Sequence, residues 1–365
     1  MGVPEKIKLI EEEMSKTKVN KNTEHHLGLL KAKLARLRRE QEEKRNQSSG
    51  TQSGYGVRKS GDGTIALIGL PNVGKSSLLN KLTNSRSKVG AFKFTTLTVV
   101  PGVLNYKGAS IQILDLPGII ESAASGKGLG KRVLSVARSA DLILLVTDIF
   151  RPQIQNLLIK ELREMGIRPD EAPPNIVIEK TSTGGIAVTS LVKLTRISIK
   201  LIKEILRIYK INNARVIVKE DITDEQLIDS IMGNRKYVST LSIINKIDLI
   251  NGKIFEKNKL KKEIEFIPVS IEANKNIEEL KEAIYQRLDF IRIYLRPKGS
   301  EADYKEPLVI KNGSIVQDAC DKLHRDMKKD LRYAQIWGKS VKFGGQKVGL
   351  LHQLQDEDVL TIITK

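Results

Sequence analysis

The stretch Thr64-Ile-Ala-Leu-Ile68, followed by Gly69-Leu-Pro-Asn-Val-Gly-Lys-Ser76, decides the fold of this chain. Its first half is a short apolar run typical of a buried strand, and its second half matches the phosphate-binding loop G-x-x-x-x-G-K-[S/T] at every defined position. Glycine lets backbone N–H groups turn towards a phosphate, and the helix that follows adds its dipole. We therefore predict nucleotide contacts from Gly69, Asn72, Val73, Gly74, Lys75, Ser76 and Ser77, with Lys75 on the β- and γ-phosphates.

Further apolar runs at 110–114 and 142–146 are separated by helical patterns. Buried strands that alternate with helices indicate a parallel, doubly wound sheet. The predicted class is α/β, with a P-loop core.

A second motif, Asp115-Leu-Pro-Gly118, comes at the end of the strand at 110–114. Asp115 can hold Mg²⁺ through water, beside the Ser76 hydroxyl, and Gly118 places a backbone N–H near the γ-phosphate. In Phe94-Thr-Thr-Leu97, we expect Thr96 to complete the Mg²⁺ shell, with Thr95 as the alternative. Without the flanking motifs, both would be ordinary strand threonines.

The motif Asn245-Lys-Ile-Asp248 selects the base. A carboxylate at Asp248 can accept hydrogen bonds from guanine N1–H and N2–H₂ together, and adenine offers no such pair of donors. We expect Lys246 to pack over the base, Asn245 to bind the phosphate loop, and Ser270 to belong to a final base-contacting loop. The sequence thus predicts a site for GTP and GDP.

The residues after Gly118 bear on catalysis. Ras-like GTPases usually carry a glutamine soon after this glycine, whereas this chain has Ile119, Ile120 and Glu121. We therefore expect slow intrinsic hydrolysis, stimulated by a monovalent cation or a partner protein. Asn72 is the candidate ligand for K⁺, and the competing interpretation is that Asn72 only shapes the loop.

The chain has 365 residues and a net charge of +19. Such a surplus favours RNA or an RNA-rich particle as partner, although a Lys-rich proteome would produce it too. The single cysteine, Cys320, lies in a helical pattern and is expected in a core. Since no apolar targeting segment or membrane-length run occurs, we expect a cytoplasmic protein without a membrane partner.

Composition divides the chain into segments. The regular pattern stops after Gly166, where prolines replace the next expected strand, and resumes at 241–244. The predicted parts are an N-terminal helical hairpin (1–46), a linker (47–63), the first GTPase part (64–166), an inserted α+β domain (167–240), the second GTPase part (241–290) and a β-grasp module (291–365). Within the last, Ser314 and Gln317 resemble a capping box for a helix that ends near Lys329.

Taken together, Gly69–Ser77, Phe94-Thr-Thr-Leu-Thr-Val-Val-Pro-Gly102, Asp115–Ile119 and Asn245–Asp248 resemble the developmentally regulated GTP-binding proteins of the Obg group. The resemblance covers essentially the whole chain. It implies an insert similar to the second domain of ribosomal protein S5 and a C-terminal TGS domain. It further implies a GTPase in translation, associated with ribosomes or RNA and favoured by potassium.

Two alternatives to a GTPase switch follow from the sequence. A GTP-binding scaffold that hydrolyses too slowly to matter would fit the Ile119-Ile120 pair, whereas a nucleotide kinase would leave Asn245–Asp248 without a role.

The C-terminal module also has two interpretations. It either docks RNA or protein, with Lys339, Lys342 and Lys347 as the basic residues to test, or is packed without a partner. Specificity for a DNA sequence is not expected.

Overall fold

The computed structural model describes residues 2–20, 23–48, 61–83, 100–116, 135–249, 266–297, 299–324 and 326–364. The chain forms two compact units. One contains Met1–Gly54 and Glu171–Tyr237, and the other contains Tyr55–Asp170 and Val238–Lys365.

The larger unit is built on a seven-stranded sheet. Its strands are β1 (Gly63–Gly69), β2 (Val100–Tyr106), β3 (Ala109–Asp115), β4 (Leu142–Asp148), β5 (Ile167–Pro169), β9 (Lys236–Asn245) and β10 (Ile267–Pro268). The order is β10-β9-β4-β1-β3-β2, with β5 paired to β9. Strand β1 is parallel to β3 and β4, and β9 is parallel to β4 and β10, whereas β2 is antiparallel to β3.

Helices cover both faces of this sheet. They are α3 (Lys75–Leu82), α4 (Ile154–Glu164) and α7 (Ile277–Arg287). Leu79 of α3 and Leu280 of α7 pack into one aliphatic core, and Leu158 of α4 packs into a second. Every residue of β1 and β4 is buried, as a parallel sheet covered on both faces requires. The predicted doubly wound α/β fold is confirmed.

The sheet also contains two strands that the sequence pattern does not indicate. Strand β2 is the antiparallel edge, and β5 follows directly after Gly166, where the prolines predicted no strand. Ile167 is fully buried against the sheet, and Gly166 makes the turn with a φ of +80°. The segment outside the larger unit is therefore 171–237, shorter than the expected 167–240.

The smaller unit combines the N-terminal hairpin with this inserted segment. Its helices are α1 (Val3–Lys16), α2 (Glu24–Ser48), α5 (Ile199–Ile208) and α6 (Asp224–Met232), and its strands are β6 (Ile176–Lys180), β7 (Ile186–Ser190) and β8 (Ala214–Val218). Strand β8 lies between an antiparallel β6 and a parallel β7. Ala32 of α2 is fully buried in the same core as Ile205 of α5. Thr223 and Gln226 form a capping box at the start of α6. The Gln226 N–H donates to Thr223 Oγ1 at 3.2 Å, and the Thr223 N–H donates to Gln226 Oε1 at 2.9 Å.

The C-terminal module is a five-stranded sheet with a helix against it. Its strands are β11 (Phe290–Leu295), β12 (Asp303–Lys311), β13 (Leu331–Trp337), β14 (Gln346–Val348) and β15 (Val359–Thr364), in the order β12-β11-β15-β13-β14. Its helices are α8 (Val316–Leu323) and the short α9 (Met327–Asp330). Cys320 of α8 is fully buried in the aliphatic core, as expected.

The predicted cap of α8 is wrong. The chain stays extended through Ile315, which bridges to Gln353, so the helix begins one residue later than expected. The Ile315 N–H donates to Asp318 Oδ2 at 2.9 Å in place of a pairing between Ser314 and Gln317. The helix ends at Leu323 rather than near Lys329. In the part of the chain that the structure describes, no helix has the length and apolar character needed to span a membrane.

Candidate functional site

The phosphate-loop motif forms the turn between β1 and α3. Gly74 has a φ of +98°, and a Cβ atom built on it would lie 2.4 Å from Asn245 Nδ2, so this position requires glycine. A Cβ on Gly69 would lie 2.2 Å from the Val146 carbonyl oxygen. Lys75 Nζ donates to the carbonyl oxygens of Gly69 and Leu70, at 3.0 and 2.8 Å. The ammonium group is therefore folded back over its own loop.

Side chains of the motif at 245–248 hold the phosphate loop from the end of β9, which β4 separates from β1. Asn245 is buried; its Nδ2 donates to the Val73 carbonyl at 2.9 Å, and its Oδ1 accepts from the Ile271 N–H at 3.3 Å. Lys246 Nζ donates to the Asn72 carbonyl at 2.8 Å. These contacts join the predicted phosphate and base ends in one structure.

Asp115 and Ser76 meet beside the loop. Asp115 pairs with Leu67 in the register of β3 on β1, which brings it to the strand end from which α3 departs. Ser76 Oγ donates to Asp115 Oδ2 at 2.6 Å. The other carboxylate oxygen, Oδ1, is buried and has no hydrogen-bond partner among the described residues. A hydroxyl and a carboxylate with one oxygen left over fit Mg²⁺, which prefers oxygen ligands.

The base end is built from two loops. Asp248 Oδ1 accepts the Ser270 hydroxyl at 2.5 Å, and Ser270 Oγ in turn accepts the Ala273 N–H at 3.0 Å. Ser270 is fully buried, and its backbone forms two hydrogen bonds with Lys275. The serine thus fixes the orientation of the carboxylate that is predicted to recognise guanine.

These residues surround a cleft of about 590 Å³, a size suited to a nucleotide. Eight of the predicted residues line it: Asn72, Gly74, Lys75, Ser76, Ser77, Asn245, Lys246 and Asp248. Gly69, Val73, Asp115 and Ser270 contact these residues from behind. Thr95, Thr96 and Gly118 lie outside the described residues and stay predictions.

Three residues outside the predicted set also line the cleft, namely Leu249, Ile271 and Glu272. They directly follow Asp248 and Ser270, so chain proximity was the available signal. Over the described residues, no group of three or more His, Cys, Asp or Glu side chains could hold a metal ion. The Ser76–Asp115 pair stays a predicted Mg²⁺ site.

Comparisons with known proteins agree with this geometry. Residues 64–180 match the family model described as a 50S ribosome-binding GTPase, residues 183–290 match the C-terminal region of that domain, and residues 291–364 match the TGS domain. An uncharacterised GTP-binding protein of Methanocaldococcus jannaschii is 52% identical over 100% of this chain and 94% of its own length. The developmentally-regulated GTP-binding protein 2 of Bos taurus is 43% identical over 100% of both chains.

Among solved structures, the YchF GTPase of Schizosaccharomyces pombe matches with a TM-score of 0.43 and 13% identity, over 84% of this chain and 99% of that one. The family models cover residues 64–180, 183–290 and 291–364, and the two relatives align over the whole chain. The chain belongs to the developmentally regulated GTP-binding protein family, as a GTP-binding GTPase with a TGS domain over residues 291–364.

Proposed function

We propose that this GTPase is a cytoplasmic switch whose nucleotide state governs its association with ribosomes in translation. The observation that carries the proposal is the cleft in which Asn245 binds the phosphate loop beside the guanine-recognising carboxylate. A change at the phosphates can thereby reach the base loops through direct hydrogen bonds. Ribosome association is supported by the description of the matching family as 50S ribosome-binding and by the net charge of +19.

In this proposal, Asp248 accepts from both guanine donors while the Ser270 hydroxyl holds its other side. Adenine offers no such pair of donors, so the carboxylate would keep only the Ser270 hydroxyl, and a polar group left underpaired in a site is a strong basis for rejection. Lys246 supplies its aliphatic stem to the base plane. The loop N–H groups around Gly74 and the Lys75 ammonium bind the phosphates.

Ser76 and Asp115 would hold Mg²⁺, with Asp115 acting through water and Thr96 completing the shell when the γ-phosphate is present. When bound, the ion neutralises charge on the phosphate oxygens. Asp115 Oδ1, which is buried and has no hydrogen-bond partner among the described residues, supports this assignment. Gly118 is the proposed sensor of the γ-phosphate.

We further propose that intrinsic hydrolysis is slow and that K⁺ stimulates it through Asn72. The side chain of Asn72 is exposed on the cleft, and its backbone has a φ of +62° with the carbonyl bound by Lys246. Its side chain can therefore face a cation in the cleft while the backbone carbonyl is held in place by Lys246.

The matched variants for this idea are Asn72→Gly and Asn72→Asp. Glycine adopts the positive φ at no steric cost but removes the oxygen, and aspartate keeps an oxygen. We expect faster GTP turnover in KCl than in NaCl for the wild type and for Asn72→Asp, and equal rates for Asn72→Gly. Equal wild-type rates in the two salts would remove the cation hypothesis.

The second candidate function is a GTP-dependent scaffold without significant catalysis, which Ile119 and Ile120 favour. Single-turnover hydrolysis with and without ribosomes separates the two. The switch predicts acceleration by the ribosome or by an activating partner protein, whereas a rate unchanged by any RNA particle supports the scaffold.

A further inference from the structure

The C-terminal module keeps its aromatic residues out of its core. The described core of this module is aliphatic apart from Cys320 and Met327, and it contains no aromatic ring. Tyr294, Tyr333 and Trp337 are instead half-exposed, and Tyr304 is 66% exposed. The whole chain has one tryptophan and eight tyrosines, so this small module presents four of those nine rings towards solvent.

Strand register places the rings on one side of the sheet. Ala334 and Ile336 of β13 are fully buried in the core, so Tyr333, Gln335 and Trp337 point the other way. Trp337 is opposite Val359 of β15, which is opposite Tyr294 of β11.

Tyr304 of β12 joins this side because its ring centroid lies 5.0 Å from that of Tyr294. We name this surface, formed by Tyr294, Arg296, Tyr304, Tyr333, Trp337 and Lys347, the aromatic face.

Each half of the aromatic face carries a cation on a ring. Arg296 Cζ lies 4.7 Å from the Trp337 ring centroid, and Lys347 Nζ lies 4.8 Å from that of Tyr333. Gly344, in the loop after β13, packs closely against the Trp337 ring: a Cβ atom built on Gly344 would lie 2.7 Å from Trp337 Cδ1. The guanidinium plane of Arg296 is therefore supported by a fixed ring.

The six residues of the aromatic face include two cations, Arg296 and Lys347, and no acidic side chain. None of the described outward-pointing side chains of β13, β14 and β15 is acidic. The acidic residues just before β15, Asp356 and Glu357, bind Arg292 at 2.8 and 3.0 Å. Arg296 and Lys347 thus remain as the cations beside the rings.

We propose that the aromatic face is a docking surface for single-stranded RNA. Unpaired bases stack on tyrosine rings and on arginine planes, and the adjacent cations meet the phosphates. A partner with exposed planar rings and regular negative charge fits this pattern better than a protein surface. The choice of RNA over DNA rests on the proposed function, because stacking alone accepts both.

The test uses the full chain and a fluorescently labelled 12-nucleotide oligouridylate, followed by anisotropy at several salt concentrations. We expect Tyr333→Ala and Arg296→Ala each to weaken binding about tenfold. Tyr333→Phe should bind like the wild type, since it keeps the ring. Arg296→Lys should lose most of the affinity although it keeps the charge, because it lacks the plane.

Lys329→Ala is the matched control for charge. Lys329 is exposed on α9, next to Met327 on the core side of the sheet, so its loss removes one positive charge away from the aromatic face. Binding by Lys329→Ala should stay within about twofold of the wild type. Guanine-nucleotide binding should be unchanged in all five variants, which confirms folding.

Several outcomes would overturn the inference. It fails if Tyr333→Ala binds RNA like the wild type, or if Lys329→Ala weakens binding as much as Arg296→Ala. It also fails if the wild type pellets with ribosomes but binds no oligouridylate, which points to a protein partner for this face. Conversely, face-dependent RNA binding without any ribosome association would support the inference and remove the proposed function.

Discussion

Replacing Asp248 with asparagine should change which base the cleft accepts. The Ser270 hydroxyl donates to Asp248 Oδ1 at 2.5 Å, so in Asp248→Asn the amide oxygen takes that position. The NH₂ group then replaces Oδ2 and faces the guanine amino group, so that two donors oppose each other. One hydrogen bond to a charged group is lost, which contributes about 1.5–3 kcal/mol, and the bond from N1–H passes to a neutral oxygen. GDP binding should weaken by at least about 1.5 kcal/mol, or roughly tenfold or more in Kd.

The same change should favour xanthine, which has a carbonyl in place of the guanine amino group. Titration with fluorescent guanosine and xanthosine diphosphates measures both affinities on one protein. Asp321→Asn is the control, because this half-exposed carboxylate in α8 makes only a 3.5 Å contact with Lys328. If Asp248→Asn binds GDP within threefold of the wild type and gains nothing for the xanthine nucleotide, our assignment of the base end is wrong.

Two further substitutions test the supports of the fold. Asn245→Ala removes the buried contacts to Val73 and Ile271, and should lower the free energy of unfolding by about 2 kcal/mol in a denaturant titration. Although burial opposes it, hydrogen bonding from Arg292 holds the pKa of Asp356 below its ordinary value of 3.8. Arg292→Ala should therefore lower the free energy of unfolding near neutral pH by at most about 1 kcal/mol, and the Tm should fall with it. This deficit should shrink as pH falls below about 4.

Each of these two predictions has a clear contrary result. An Asn245→Ala protein as stable as the wild type would mean that water replaces both contacts without loss. A Tm deficit for Arg292→Ala that stays constant between pH 7 and pH 3 would show that the arginine stabilises through packing alone. Asp356→Asn supplies the comparison, since it removes the titrating group and should make the deficit independent of pH.

The chemistry of the cleft could be predicted from the sequence because its motifs are short and local. Lys75 and Ser76 begin the helix that follows β1, Asp115 ends β3, and the ends of parallel strands meet at one edge of the sheet. That Asp248 and Ser270 lie close together could be predicted for the same reason. Thr96 and Gly118 remain predictions, since they lie outside the described residues.

Packing between distant segments could not be predicted from local patterns. Ala32 of the hairpin shares a core with Ile205, more than 170 positions away, and the apolar spacing of α2 does not identify its partner. Strand β5 escaped prediction because three residues with a proline carry no alternation, and only pairing with β9 makes them a strand. The aromatic face required the register of β11, β13 and β15, which the sequence does not specify.

Nucleotide-dependent co-sedimentation with ribosomes tests the central proposal most directly. The full chain would be loaded with GDP or with a non-hydrolysable GTP analogue, and the fraction that pellets with ribosomes would be compared between the two states. Asp248→Asn is the control variant, because it should lose the response to guanine nucleotides. A switch predicts affinities that differ by about fivefold or more between the two nucleotide states. Equal pelleting in both states, or no pelleting in either, would contradict it.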